Sequence, residues 1–261
     1  MTTSVQNRPE VDAAGVAATS PSSTLVLQTP TTATDGPSVG STSSGTPSQV
    51  AAAAAHEELA VGVTVDVAPV FGVLPSDGGP SAIGQYGRSY GADPQRVARL
   101  VAAAVTGYQS GGVVASMKHF SGLTRIGADS HVTLPTLPVS CADWNAHEAI
   151  PAEAGVDAGA LMVMTAHMLF PAADDVKAPA SISPRIIQKL LHGDGVAGCN
   201  GMNFGAVTVT DSMQMEPIAG HYSVGSAAVA ALNAGEDLLL MPTSPTKAHR
   251  KLAREAAAAL D

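Results

Sequence analysis

The sequence has few aromatic and few charged residues: of its 261 residues, 3% are Phe, Trp or Tyr and 13% are Asp, Glu, Lys or Arg. It also lacks a continuous apolar run long enough to cross a bilayer. Hydrophobic residues nevertheless make up 45% of the chain, which at this length is enough to bury a large core. Because aliphatic and small residues supply most of that core, we expect one large domain with helices and strands packed closely in α/β layers.

Basic residues are scarce too, and the formal net charge is −9. Such a charge repels polyanions, and no cluster of Lys and Arg reverses it locally, so we expect no nucleic-acid partner. The first 25 residues lack the basic start and apolar stretch of a secretory signal. The sequence as written therefore predicts a cytoplasmic protein without a membrane span, and a secreted or cell-envelope protein with its leader missing is the alternative.

Cysteine occurs only twice, at Cys141 and Cys199. Two cysteines so far apart in sequence are too few for a zinc knuckle or a disulfide framework. A single bridge between them stays open.

Composition divides the chain at about residue 50. Residues 1–49 are predicted to be a low-complexity, largely disordered arm, in which the stretch STLVLQ at 23–28 is compatible with one short strand. Beyond it, helices are predicted over about residues 50–60, 93–111, 141–154, 184–191, 225–234 and 246–260, and strands over 61–70, 113–120, 160–168, 206–215 and 237–242. Because parallel strands need helical crossovers, this alternation predicts a parallel sheet covered by helices.

Polar residues accompany nearly every predicted strand: Lys118 and His119, His167, Asp211, and Asp66 within VTVDV. In a (β/α)8 barrel such residues converge around one axis, whereas an open sheet collects them near its switch point. The G-x-G-x-x-G fingerprint and the Walker loop of nucleotide-binding folds are absent. The sequence therefore predicts a TIM-type (β/α)8 barrel without a nucleotide cofactor.

The chain resembles glycoside hydrolase family 3 in six segments that occur in order: VDVAPVFGV, IGQYGRSYGADP, KHFSGLTRIGADSHVTLP, ALMVMTAHM, VTVTDSMQM and ALNAGEDLLLMP. They look most like the bacterial, actinobacterial-style β-N-acetylglucosaminidase branch, and the resemblance covers roughly residues 55–261. Six ordered motifs are far more specific than any one of them. The resemblance implies that residues 50–261 form an N-terminal-type catalytic barrel domain that acts on a small carbohydrate with no cofactor or metal.

The resemblance also implies catalytic roles. Asp211 would attack the anomeric carbon and form a covalent glycosyl-enzyme, which gives retention of configuration. His131 would protonate the leaving oxygen and later activate water, with Asp129 orienting its ring, because imidazole holds or releases a proton near neutral pH. From the residues alone, Asp211 also fits a helix N-cap, and Asp129 and His131 also fit a surface loop. Ser130 lacks the G-x-S-x-G elbow of a nucleophilic serine.

Three further residues are implied as sugar contacts: Arg88, Lys118 and His119, whose N–H donors match hydroxyl and acetamido oxygens. A loop arginine that caps backbone carbonyls is an equal alternative for Arg88. His167 is predicted to be a satisfied core histidine. The loop that follows His119 has few apolar anchors, so we expect it to be mobile.

The chain departs from the family pattern in three ways. Ser121 stands where the family has Pro, and Leu123 and Thr124 stand where it has His-Gly. An early Asp-Gln-Glu-Gly-Gly motif is missing, and Asp35 is the nearest candidate for its sugar-binding carboxylate. About six credible strands are present where a closed barrel needs eight, so we expect the barrel to be incomplete on its N-terminal side.

The leading hypothesis is a retaining glycosidase that removes terminal β-linked N-acetylglucosamine from peptidoglycan fragments or chitooligosaccharides. Alternatives are a β-glucosidase or a phosphorylase of the same family, and a catalytically impaired sugar-binding remnant. A zinc-dependent barrel hydrolase with ligands among His119, His131, His167 and Asp211 is a further alternative, although no His-x-His pair supports it.

Overall fold

The computed structural model describes residues 25–27, 45–176, 178–240 and 258. Its strands are β1 Leu25–Leu27, β2 Val63–Asp66, β3 Val114–Phe120, β4 Met162–Thr165, β5 Gly195–Val196, β6 Cys199–Asn200 and β7 Val207–Thr210. Its α-helices are α1 Pro47–Ala60, α2 Pro94–Ser110, α3 Cys141–Ala146, α4 Ala149–Asp157, α5 Glu216–Ala219 and α6 Val224–Ala234. Short 3₁₀ turns span Gly84–Tyr86 and Ala180–Ile182, and a π-helical segment spans Arg185–Leu191. Apart from β1 and Ala258, the predicted arm up to residue 44 and the predicted helix at 246–260 lie outside these residues.

The main sheet has five parallel strands in the order β1-β2-β3-β4-β7. A parallel bridge between Val209 and Leu238 adds the segment after α6 at the β7 edge. The sheet is curled, with its strands joined mainly through helical segments. This confirms the predicted TIM-type barrel in an incomplete form, and β1 confirms the short strand expected within residues 23–28.

The two faces of the sheet are buried in different ways. On the convex face, Met117 lies against α4, where a Cβ on Gly155 would overlap its sulfur atom. Helices α1 and α2 cover the neighbouring part of this face, and they approach each other at Gly107, which has no room for a side chain beside Ala51. On the concave face, an apolar cluster is formed by Val67, Met162, Met164 and Val209. Side chains that alternate along the strands therefore separate a helix-covered layer from the barrel interior.

Helix α2 follows its predicted signals closely. The Asp93 side chain accepts a hydrogen bond from the Arg96 N–H at 3.0 Å, Pro94 occupies the first helical position, and the helix ends at Gly111. Helix α1 begins at Pro47 instead of residue 50, because Thr46 and Gln49 form a reciprocal capping box there.

One long helix was predicted over residues 141–154, and this is wrong: α3 and α4 are separate helices. The chain breaks at His147, whose φ of −127° and ψ of −78° are not helical. Pro151 lies four residues later, and a proline ring in a continuous helix would clash with the carbonyl of residue 147. The break makes Glu148 the N-cap of α4.

A disulfide joins Cys141, the first residue of α3, to Cys199 on the β5–β6 hairpin, with a Cα–Cα distance of 4.5 Å. Asn145 strengthens the same contact, because its side chain donates to the Gly198 carbonyl at 2.9 Å and accepts from the Asn200 N–H at 2.8 Å. Covalent and hydrogen bonds together therefore fix this hairpin against α3.

Candidate active site

Lys118 and His119 lie at the carboxyl end of β3, as the sequence predicts. The Lys118 N–H donates to the Pro69 carbonyl and its carbonyl accepts from the Phe71 N–H, both at 2.9 Å. These bonds tie the end of β3 to the segment after β2. Burial lowers the pKa of Lys118 to about 8, although the nearby carboxylates of Asp211 and Asp66 act in the opposite direction.

Asp211 follows β7 and faces the same region. Its Oδ2 atom lies 3.8 Å from His119 Nε2, and its Oδ1 accepts a hydrogen bond from the Ser212 N–H at 2.7 Å. The following helix, α5, begins at Glu216 with Met215 as its N-cap. Asp211 is therefore not a helix N-cap, and its second carboxylate oxygen is directed toward the predicted sugar contacts.

Burial lowers the pKa of His119 to about 4, and the Asp211 carboxylate only partly opposes this effect. At neutral pH the imidazole beside Asp211 is thus uncharged. The Lys118 ammonium and the His131 ring also act on the pKa of His119, in the direction that disfavours its protonation. The charges of Asp211, Lys118 and His131 therefore all act on the pKa of His119.

Asp129 and His131 form a pair on the loop after β3. His131 Nδ1 lies 2.7 Å from Asp129 Oδ1, and the same oxygen accepts the His131 N–H at 2.9 Å. These bonds lower the pKa of Asp129. The His131 side chain is 71% exposed, and its carbonyl accepts from the Glu216 N–H at 3.2 Å. The loop therefore contacts the start of α5, a few residues beyond Asp211, and leaves Nε2 of the imidazole available.

Arg88 lies on the loop before α2, with its guanidinium carbon 5.1 Å from the centre of the Tyr86 ring. Its charge disfavours protonation of both Lys118 and His119. Arg96, and not Arg88, caps this loop by donating to the Tyr90 carbonyl at 2.8 Å. Sequence reasoning identified Arg88 but missed the exposed ring on which it stacks.

His167 has both ring nitrogens satisfied, as predicted for a core histidine. Nδ1 lies 2.6 Å from the Ser181 hydroxyl, and Nε2 lies 2.9 Å from the Ser212 carbonyl. Burial lowers the pKa of His167, so the neutral ring is favoured. Because Ser212 directly follows Asp211, His167 also fixes the backbone beside that carboxylate, a role that sequence reasoning missed.

The expectation of a mobile loop after β3 is wrong for its first half. Ser121, Leu123 and Thr124 are buried, and the Trp144 indole donates to the Ser121 carbonyl at 2.7 Å. Thr124 fills the space over Gly72, where a Cβ would overlap the threonine side chain. The buried Leu123 side chain and these tertiary contacts thus fix the first half of the loop.

Arg125 fastens the same half of the loop. It donates to both carboxylate oxygens of Glu148 at 2.5 and 2.6 Å, and it lies 2.8 Å from Asp143. Burial alone would lower the pKa of Arg125, but these carboxylates raise it. The loop is therefore clamped to α3 and to the start of α4, and the exposed Asp129 and His131 extend from a fixed base.

Asp35 lies outside the described residues. Within the described part of the chain, no three side chains of His, Cys, Asp or Glu are grouped so that they could hold a metal ion. The zinc alternative therefore lacks a ligand set there. In the same part of the chain, no helix combines the length and apolarity needed to cross a membrane.

The sequence and the fold are similar to those of known proteins. Residues 27–260 match the glycosyl hydrolase family 3 N terminal domain. The chain belongs to glycoside hydrolase family 3. It is similar to β-hexosaminidases of Stenotrophomonas maltophilia (34% identical over 187 residues, 72% of this chain and 52% of that protein) and Tolumonas auensis (35% over 189 residues, 71% and 52%).

Among solved structures, the family member is similar to a family 3 β-N-acetylglucosaminidase from a Paenibacillus species. The two share 34% sequence identity with a TM-score of 0.71, over 82% of this chain and 38% of that one. The chain spans about half the length of the two β-hexosaminidases. The comparison therefore supports the barrel fold and the membership of the chain in glycoside hydrolase family 3.

Proposed function

We propose that this family 3 domain forms the catalytic site of a retaining β-N-acetylglucosaminidase that acts on peptidoglycan fragments or chitooligosaccharides. The main support is the position of Asp211, which lies 3.8 Å from His119 and whose charge acts on the pKa of Lys118. A nucleophilic carboxylate and neighbouring hydrogen-bond donors are what covalent catalysis on a sugar requires. The similarity to β-hexosaminidases and to a solved β-N-acetylglucosaminidase supports an N-acetylated sugar as the substrate.

In the first step, an Asp211 oxygen forms a bond to the anomeric carbon as the bond from that carbon to the leaving oxygen breaks. The leaving oxygen takes a proton from Nε2 of the His131 imidazolium, which the Asp129 carboxylate holds through Nδ1 at 2.7 Å. In the second step, His131 removes a proton from water, the water oxygen bonds to the anomeric carbon, and the ester to Asp211 breaks. Configuration is retained because the carbon is inverted twice.

The neutral His119 and the Lys118 ammonium have different uses in this proposal. With a pKa of about 4, His119 can donate a hydrogen bond without neutralising Asp211. With a pKa of about 8, Lys118 remains mostly protonated at neutral pH and supplies a charged donor to sugar hydroxyls. Arg88 adds a second cation at the more exposed side of the site.

The disulfide supports the alternative to a cytoplasmic location, namely a secreted or cell-envelope protein. Disulfides persist in oxidising compartments and are rare in the bacterial cytosol, and both cysteines of this chain are paired. We therefore place the proposed activity in an oxidising compartment such as the cell envelope or the exterior, where peptidoglycan fragments and chitooligosaccharides are accessible.

The test is hydrolysis of 4-nitrophenyl N-acetyl-β-glucosaminide, with 4-nitrophenyl β-glucoside as the competing substrate. We expect preference for the N-acetylated substrate and retained configuration of the first product. Asp211→Asn should lower kcat by a factor on the order of a thousand or more, and His131→Ala by roughly a hundredfold or more. Asp194→Asn, at an exposed aspartate before β5, is the matched control and should retain activity.

Product analysis separates the alternatives. Preference for the glucoside selects the β-glucosidase, and formation of a sugar 1-phosphate only when phosphate is present selects the phosphorylase. Sugar binding without turnover selects the binding remnant. An Asp211→Asn variant as active as the parent removes Asp211 from the nucleophile role.

A further inference from the structure

Eight large hydrophobic side chains are exposed in the described part of the chain, and two of them stand on loops that carry proposed site residues. Tyr86, 60% exposed, precedes Arg88 by two residues, and Val132, 64% exposed, directly follows His131. Exposed aromatic rings at the rim of a polar site are frequent binding elements. Tyr86 has no part in the chemistry derived above, so its position calls for a separate account.

The turn that carries Tyr86 is held in place from several sides. The Gly84 N–H donates to the Ser81 hydroxyl at 2.8 Å, and the Gln85 side chain donates to the Ala82 carbonyl at 3.2 Å. The Ala82 N–H in turn donates at 2.8 Å to the carbonyl of Ile126, on the loop that leads to His131. Tyr86 therefore stands on a fixed turn that is joined to the proposed acid/base loop.

The ring itself is oriented by Arg88, whose guanidinium carbon lies 5.1 Å from the ring centre. A cation on one face of an aromatic ring is attractive and limits its rotation. The ring surface that Arg88 does not cover is exposed to solvent. Since Tyr86 is exposed and its turn is joined through the Ala82–Ile126 hydrogen bond to the loop that leads to His131, the free face of the ring lies at the solvent side of that loop.

We propose that Tyr86 forms a stacking platform for the second sugar of the substrate, the leaving-group N-acetylglucosamine unit. A pyranose has polar edges and apolar C–H faces, and a C–H face fits against the π-face of an aromatic ring. The first sugar meets charged donors near Asp211, while the second extends toward solvent on the side of exposed His131 and Val132. This inference rests on the proposed glycosidase function and assigns to it a leaving-group specificity.

Two substrates that share the first sugar but differ in the leaving group separate the effect of Tyr86 on the second sugar from its effect on the first. N,N′-Diacetylchitobiose has a sugar leaving group, whereas N-acetyl-β-glucosaminyl fluoride releases only fluoride. Tyr86→Ala should lower kcat/KM for the disaccharide by about two- to tenfold and leave the fluoride unchanged. Tyr86→Phe and Tyr86→Trp keep the ring and should behave like the parent. Leu161→Ala, at an exposed residue before the amino end of β4, is the control remote from the strand carboxyl ends.

Two other outcomes of this experiment would overturn the platform. An equal loss on both substrates would show that Tyr86 acts on the first sugar through Arg88, and no loss on either would show that the second sugar does not contact the ring. A parent that hydrolyses neither substrate would refute the proposed function, and calorimetry would then test the platform alone. In that case the parent should bind the disaccharide about two- to tenfold more tightly than N-acetylglucosamine, and Tyr86→Ala should bind both equally; equal affinities in the parent would reject the idea.

Discussion

Burial acts on two neighbouring side chains at the end of β3 with opposite consequences for charge. Lys118, with a pKa lowered to about 8, keeps most of its positive charge at neutral pH. His119, with a pKa lowered to about 4, loses its charge. The same physical cause therefore leaves a cation at Lys118 and a neutral ring beside Asp211. Sequence reasoning identified all three residues but had no means to assign these protonation states.

A second buried group, Glu236, affects stability. It is almost fully buried, the Thr165 hydroxyl donates to its Oε1 atom, and its Oε2 atom has no hydrogen-bond partner among the described residues. Burial raises its pKa from 4.5 to about 8. The folded state therefore holds a proton between about pH 4.5 and 8 that the unfolded chain releases.

We predict that Glu236→Gln raises the free energy of unfolding at pH 8 by on the order of a few kcal/mol and has little effect at pH 4.5. The sign follows because the proton bound in the folded state makes stability fall as pH rises from about 4.5 to 8. Urea unfolding at both pH values measures the difference. Glu57→Gln, at an exposed glutamate on α1, is the control, and equal effects of both substitutions would contradict the prediction.

The Arg125–Glu148 ion pair joins the loop after β3 to the start of α4. The Glu148 side chain is 1% exposed, and burial raises its pKa despite the Arg125 guanidinium. Removal of one partner from a buried pair leaves an uncompensated polar group, which is more costly than removal of both. The loop base is thus expected to lose more stability when one of these two residues is replaced than when both are replaced.

We predict that Arg125→Met lowers the free energy of unfolding by about 3 kcal/mol, and that it costs clearly less in a Glu148→Gln background. A double-mutant cycle by urea unfolding measures this coupling. Arg99→Met, at an exposed arginine on α2, is the matched control and should cost less than about 1 kcal/mol. Additive effects of the two substitutions would show that the pair does not fasten the loop.

Helices and strands with a strong local sequence pattern were predicted correctly. The run VVASMKHF gave β3, and Asp93 with Pro94 gave the start of α2. The β5–β6 hairpin was missed because its turn places Ala197 at φ 54° and Gly198 at φ 86°, and alanine is unusual in that region. The Arg125–Glu148 pair joins residues 23 positions apart, so no local pattern announces it.

At the scale of the whole molecule, the polar ends of separate strands meet because the parallel sheet curls. β3 and β7 are not neighbours; β4 lies between them. In a flat sheet their ends would be two strand spacings, roughly 9–10 Å, apart, yet His119 and Asp211 side chains approach to 3.8 Å. Polar residues at the ends of several predicted strands made this convergence predictable from the sequence. The distance between His119 and Asp211 was not predictable, because it depends on the curvature of the sheet and on side-chain length.

The disulfide acts on the whole molecule because it closes a loop between residues separated by 58 positions. We predict that denatured protein prepared without reductant contains no titratable thiol and that it contains two after reduction. Replacing both Cys141 and Cys199 by Ser should lower the free energy of unfolding by about 2–4 kcal/mol, since the unfolded chain loses a constraint.

Thiol titration and urea unfolding measure these two effects, and two free thiols in the non-reduced protein would refute the bridge. The Asn145→Ala variant is the control, because it removes the side-chain hydrogen bonds to the hairpin without opening the covalent loop. The bridge also affects the base of the proposed acid/base loop. It fixes the first turn of α3, which carries Asp143, and Asp143 lies 2.8 Å from Arg125 at the base of the acid/base loop. Reduction should therefore lower kcat of the proposed reaction before it unfolds the barrel.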